Sequence, residues 1–479
     1  MACIHREPVR CRTAVECLAA FSLPTEWLFT YMTQFSRIIK SEPLLFVLWA
    51  NELVRLIWSP PGLQTASGWL MIVYIAMSLT RLRRGTFFLC VPLAAFTAVL
   101  AISFEEWGVV MRGFQDGAVF VAFFGTIVLL RAIADQRPEV SRARLMFTGL
   151  RAEETNGAFL VGAHLIGSVL VVGVMSVLAP ILRDDIDAAA RRRAAEVSQR
   201  GMCLAPLWSP FWVAAAFAAQ QIPGVPTWEI MLLGLLMAAI GLLLAHSMYE
   251  RDVGLTDLWR SARAFAPIVP SVAICALIIA GLSSVAGLSS LEALIATIPI
   301  IAMTTLLTTR GWQIRSAKAC AIAVDTWRGS SRVCDEIVVV TTALILGRVL
   351  EAAMQEIGVG DMISALALPG WAVIACVISA ITLASLAGIH QVVSIIAVLA
   401  VFMPLDTGVG DVVMMEAALI GWAFASMVGV TAVSTATASA MFGVPRVKLI
   451  FGPNLLFVCS FGALSVVLLS LVNSLISGV

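Results

Sequence analysis

The feature that constrains this chain most is the length of its uncharged apolar runs. Ile230–Leu244 and Leu455–Leu471 contain no charged residue. About 20 apolar residues in a helix cross the roughly 30 Å hydrocarbon layer of a bilayer. Lipid offers no partner to backbone N–H and C=O groups, so each crossing must be a helix. Composition agrees: 13% of the 479 residues are charged, about half of what a soluble domain carries. The expected class is an all-α membrane protein, with the lipid bilayer as its first partner. A net charge of +1 gives no reason to expect a nucleic-acid partner. The ten cysteines are scattered without a CxxC pair, so neither a disulfide framework nor a metal site is expected.

Charge orients the crossings, because Lys and Arg gather on the cytoplasmic side. Arg6, Arg10, Arg12, Arg37 and Lys40 place the N-terminus inside. Arg81, Arg83 and Arg84 follow inside, then Arg137, Arg142, Arg144 and Arg151. The alternation fails after 157–182, which is flanked again by Arg183, Arg191, Arg192, Arg193 and Arg200. A re-entrant hairpin entering from the cytoplasm restores it. Such backbone is tolerated only where it lines a cavity in the protein. Segment 366–404 is about twice too long for one span. It breaks at Ala387-Gly388 and meets no positive charge until Arg446. A second hairpin, opened from outside, fits. This reading gives about 11 transmembrane helices and two hairpins, with the N-terminus cytoplasmic and the C-terminus periplasmic in a cell inner membrane. The charged cluster 183–200 reads as a solvated interfacial helix, and Glu416 as a residue at a membrane interface.

Two segments repeat one pattern. Leu160-Val161-Gly162-Ala163-His164-Leu165-Ile166-Gly167-Ser168 lines up with Leu386-Ala387-Gly388-Ile389-His390-Gln391-Val392-Val393-Ser394 as L-x-G-x-H-x-x-x-S. Further on, Gly224-Val225-Pro226 matches Gly443-Val444-Pro445. The order is the same in both places, and the charge reading gives the copies opposite orientation. The expected organisation is an N-terminal extension at 1–58 with one candidate span and two inverted repeats. The first repeat, 59–250, holds the hairpin near 157–182 and a broken helix at 201–221. The second, 251–479, holds the hairpin near 366–404 and a broken helix at 412–442. Internal symmetry of this kind is the best sequence pointer to a transporter site.

With these motifs the chain resembles the ion transporter superfamily, secondary carriers of citrate, dicarboxylates and other anions. The resemblance covers roughly 66–475. It rests on the paired G-x-H-x-x-x-S motifs, the Ser209-Pro210 break and the Gly/Ser/Thr run Ser426–Ser439. Inverted halves, each with a re-entrant hairpin and a broken helix, are what the resemblance implies, together with a homodimer. The Ser-Asn-Thr signature of the family is absent; Ser434-Thr435-Ala436-Thr437 is a distant echo of it.

Broken helices expose half-helix N-termini to anions and free carbonyls to cations. Pro210 removes a ladder donor, so Ser209-Pro210 marks a helix break or a simple kink. Ser426, Gly429 and Thr431 mark its counterpart, where small residues equally serve close helix packing. His164 and His390 either bind substrate or pass a proton, or tie their hairpins by hydrogen bonds. Ser168, Gly388 and Ser394 sit beside them; Asn156 and Asn454 can cap or coordinate. Arg348 and Glu351 share a helix face and can pair. No Walker loop, Rossmann fingerprint, HExxH motif or hydrolytic triad is present, so neither enzymatic activity nor a cofactor is expected. The function expected is secondary transport of a small, anionic solute or ion. The rival reading is a membrane component of surface-polysaccharide assembly or export. Short outside loops count against a glycan ligase or polymerase in that role.

Overall fold

The structure is a computed structural model that describes residues 41–136, 152–182, 186–222, 224–249, 263 and 269–477, the side chains of 152–156, 158, 359, 361, 364 and 477 excepted. Every regular element among the described residues is helical. Ten of these helices are long and apolar enough to cross a membrane. The protein is an all-α membrane protein.

Its first part runs α1 (Glu42–Ile57), α2 (Leu63–Ser78), α3 (Arg84–Ser103) and the long α4 (Trp107–Asp135). Later in the chain come α10 (Val269–Ala286), α11 (Ser290–Thr308), α12 (Trp312–Ser330) and α13 (Cys334–Ile357). α4 is the hub: it packs along α13 and is flanked by α1, α2, α11 and α12. The stretch 41–58, expected as a candidate span, is α1, only 16 residues long. It buries two carboxylates, each paired at 2.7 Å: Glu42 with Arg81 and Glu52 with Arg55. Unpaired, such charges would be too costly to bury.

The remaining helices repeat one order of elements. α5 (Ala152–Leu170) turns at Val171–Gly173 into the short α6 (Val174–Leu178). Val171 takes a left-handed φ of 54° there. Then come α7 (Ala188–Cys203), a break over 204–212, α8 (Val213–Gln221) and the long α9 (Thr227–Tyr249). After α13 and the short α14 (Val359–Ser364), α15 (Gly370–Leu386) turns at 387–390 into α16 (Gln391–Phe402). α17 (Asp411–Val428), a break over 429–432, α18 (Val433–Phe442), the short α19 (Arg446–Ile450) and the long α20 (Pro453–Ser477) complete the chain. α5 lies along α7, and α15 lies along α17. The two broken helices also cross: α7 packs on α18, while α17 packs on residues 205–207 and on α8. The turn expected at Ala387-Gly388 and the interruption within 412–442 are both present.

The charged cluster 183–200 requires a correction. Only its first part is a solvated helix: 187–190 are exposed and Arg191–Arg193 half-buried, but every residue of α7 from Ala194 to Cys203 is buried. The first broken helix therefore begins at Ala188 rather than at 201. Glu196 and Arg200 can be buried because the charges answer one another along the helix. Arg192 Nε donates to Glu196 at 2.7 Å, and Arg200 lies 3.6 Å from the same carboxylate. The Arg200 guanidinium also stacks on the Tyr249 ring, 3.9 Å from its centroid. A hydropathy profile sums charges and cannot see this cancellation.

Candidate functional site

Each turn of a hairpin meets the break of a broken helix, and the two meetings differ. At the first, the last turns of α5 supply carbonyls that have no partner within their own helix. Ser209 Oγ donates to Ser168 O at 2.6 Å, and Trp212 Nε1 donates to Gly167 O at 3.1 Å. Pro206 and Pro210 cannot donate to a helical ladder, which is why the helix stops here. His164 Nδ1 lies 3.1 Å from Gly201 O, and Trp208 Nε1 donates to His164 Nε2 at 3.0 Å. These two bonds set the ring tautomer: the proton sits on Nδ1, the only nitrogen facing an acceptor. α5 and α7 approach so closely at Gly201 that a Cβ there would lie 2.1 Å from Leu160 O. His164, Ser168 and Ser209 are all buried, and Pro210 is buried beside them. Every hydrogen-bonding group named here is already engaged.

The second meeting is half open. Gly388 holds the turn with a φ of 99°, a conformation that residues bearing a Cβ rarely adopt. His390 caps α16, its Nδ1 accepting from Val392 N at 3.3 Å. Ser394 Oγ returns to His390 O at 3.3 Å. No proline interrupts the second broken helix. Its break is held instead by contacts with the turn: Val430 N donates to Ser385 O at 3.1 Å, and Thr431 Oγ1 to Ile389 O at 3.5 Å. Thr431 and Val430 are exposed, as is Ile389 opposite them.

Beneath this opening lies a buried polar network. Ser434 and Thr435 donate their hydroxyls to Ser426 O, the latter at 3.2 Å. Gln199 Nε2, from α7, reaches Met427 O at 2.8 Å and Thr435 Oγ1 at 2.9 Å. Asn454 Nδ2 donates to Gln199 Oε1 at 3.1 Å, and Ser426 Oγ donates to Gln391 Oε1 at 3.1 Å. The carbonyl end of α17 is thus occupied by side-chain donors. Gly429 is buried where α17 stops.

The expected residues therefore fall into two groups. His164, Ser168, Ser209 and Pro210 tie the first turn to its break. Gly388, His390, Ser394, Ser426, Gly429 and Thr431 surround the second, and Asn454 supports it from below. The Asn156 side chain lies outside the described residues. Arg348 does pair with Glu351, at 3.7 Å, but more closely with Asp116, at 2.8 Å. The alignment of His164 with His390 does not survive: the first is inside α5, before the turn, and the second is the N-cap after it. Gly224-Val225-Pro226 and Gly443-Val444-Pro445 do occupy corresponding places, each between a second arm and the helices that follow.

Gln199 carried no expectation from the sequence, and Glu416 was expected elsewhere. Gln199 sits on one face of α7 with Ala195 and Met202, all buried. That i, i+4, i+7 spacing was the available signal, hidden by the arginines around it. Glu416 is not at an interface: it is fully buried in α17, and neither carboxyl oxygen has a hydrogen-bond partner.

The fold is that of a polytopic helical membrane protein with two interrupted helices. The structure is similar to that of the YdaH transporter of Alcanivorax borkumensis, with a TM-score of 0.50 and 14% sequence identity. The similarity covers 81% of this chain and 98% of that one. At that identity it shows a common fold. No family model matches the sequence, and no curated protein does.

Proposed function

We propose that this protein is a secondary active transporter of a small anionic solute, working by alternating access across the inner membrane. In this reading 59–250 and 251–479 are inverted repeats, the turns of α5–α6 and α15–α16 are re-entrant hairpin tips, and the chain works as a homodimer. The N-terminus is cytoplasmic and the C-terminus periplasmic. The observation that carries the proposal is the electrostatics of the second turn and break. α16 and α18 both begin there, as the contacts Ser426–Gln391 and Thr431–Ile389 require. A helix N-terminus carries about half a positive charge in unpaired N–H groups. The opposing carbonyl end of α17 is already taken up by Gln199, Ser434 and Thr435. What is left facing the opening favours an anion.

The test is uptake of a panel of radiolabelled small carboxylates and inorganic anions by proteoliposomes under imposed proton or sodium gradients. At least one anion is expected to accumulate above the level of protein-free vesicles. Failure of every anion while a cation or neutral solute accumulates would refute the anionic reading. Failure of every solute would refute transport by this protein alone.

A further inference from the structure

The two broken helices each carry one buried carboxyl in the first arm, equally far in sequence from the start of the second arm. Val213 begins α8 seventeen residues after Glu196, and Val433 begins α18 seventeen residues after Glu416 (213 − 196 and 433 − 416). The two side chains are about equally buried, at 5% and 0% exposure. Their surroundings are opposite. Glu196 has Arg192 at 2.7 Å and Arg200 at 3.6 Å. Glu416 has neither a donor nor a cation.

The elements packed against α17 supply no charge to answer it. α8, α18 and residues 205–207 contain no titratable side chain, and α16 brings only its N-cap His390. α15 and α20 bring only Cys376 and Cys459, both exposed. α19 brings Arg446 and Lys448, also exposed. α9 brings Glu229 in its first turn and His246 and Tyr249 at its other end. α7 brings Arg191, Arg192, Arg193, Glu196, Arg200 and Cys203, of which Arg192, Glu196 and Arg200 are bound to one another. α17 itself adds Asp411, exposed in its first turn. None of these groups bonds to Glu416.

An ionised carboxylate sealed among apolar groups with no partner costs far more than the neutral acid. The packed arrangement is therefore one in which Glu416 carries a proton. α17 is the first arm of the broken helix that borders the opening, and it packs directly on the break of the other. Movement that admits water to α17 changes the cost of charge on this one side chain. We propose that Glu416 is the proton-binding site through which a proton gradient drives transport. On the face where water reaches it, the O–H bond breaks, water takes the proton, and the carboxylate is stabilised by hydration. The return crossing is then made with the carboxylate ionised and is the costly half of the cycle, and on the opposite face the carboxylate takes a proton back from water. No other reactant is needed, and one proton crosses per cycle. This coupling rests on the transport reading above, but the proton site can be tested without it.

The first measurement uses no solute: infrared spectroscopy of the purified full-length protein in lipid at neutral pH, wild type against Glu416→Gln. The wild type is expected to show the carbonyl stretch of a dry protonated carboxylic acid, shifted in heavy water and absent from the variant. Identical spectra would mean that Glu416 is ionised and would overturn the proposal. The second measurement is accumulation of whichever anion the panel identifies, under pH gradients of either sense. Wild-type accumulation is expected to follow one of the two gradients, and Glu416→Gln to follow neither, with Glu416→Asp recovering part of the response. The variant's size-exclusion profile and thermal midpoint show that it is folded. A variant that still accumulates solute in response to pH, or a wild type driven only by sodium, overturns the proposal. If no solute moves at all, the transport reading fails, and the infrared result decides the proton site by itself.

Discussion

The first turn and break and the second are built from the same order of helices, yet one is sealed and the other is open. The first is closed by side-chain donors aimed at backbone carbonyls, Ser209 to Ser168 O and Trp212 to Gly167 O, with His164 bridging two helices. The second is held by Val430 N on Ser385 O, by Ser426 Oγ on Gln391 Oε1 and by a long contact from Thr431, with Ile389, Val430 and Thr431 exposed. Bulky aromatic donors and prolines make a break that is pinned from several sides. Small residues make one held by its own backbone, which can part from its hairpin at little cost. The asymmetry teaches that two stretches with one order of elements can differ in what holds them: one is pinned by side chains, the other is exposed.

That contrast can be broken experimentally. The largest effect is expected at the anchor. Gly201→Leu places side-chain atoms where Leu160 O already stands, and no monodisperse protein should survive size-exclusion chromatography. Recovery of folded protein would show that α5 and α7 are not locked together. At the open copy, Gly388→Val should leave the amount of protein unchanged but cut solute uptake about tenfold or more. A branched residue forced to that φ costs about 1–3 kcal/mol of local strain, and every 1.4 kcal/mol is about a factor of ten. Undiminished uptake would remove the second turn from the working site. His164→Leu strips partners from Gly201 O and Trp208 Nε1, each worth about 1–3 kcal/mol when buried. The thermal midpoint should fall by several degrees. An unchanged midpoint would mean that the first turn is not pinned by His164. The smallest effect compares single hydroxyls: Ser209→Ala should cost about 1 kcal/mol in denaturant unfolding, and Thr431→Val close to nothing, because only the first hydroxyl is buried in a short bond. Equal costs would dissolve the distinction.

Much of this was legible in the residues. The apolar runs gave the helices, Ala387-Gly388 gave the second turn, and Ser209-Pro210 gave the first break. The Ser/Thr-rich stretch after Ser426 gave the second, although its donors work inward on Ser426 O and Met427 O. Others were not legible. Gln199 lies among arginines, and nothing in the order of letters says that Arg192, Glu196 and Arg200 neutralise one another. The His164–His390 match was a coincidence, because an alignment by type cannot distinguish a helix interior from a cap.

The sequence by itself determined that the chain lives in a membrane, that its elements are helices, and roughly where they stop. Hydropathy, proline and glycine are properties of single residues and their near neighbours, so local order carries them. Only the tertiary structure decided that Glu196 and Arg200 are buried together, that one turn is pinned while the other is exposed, and that Glu416 has no partner. Each of those depends on which groups a distant helix brings within 3 to 4 Å, as Gln199 is brought to Met427 and Arg200 to Tyr249. The worth of a buried charge or donor is set by what faces it, and that is a property of packing, not of composition.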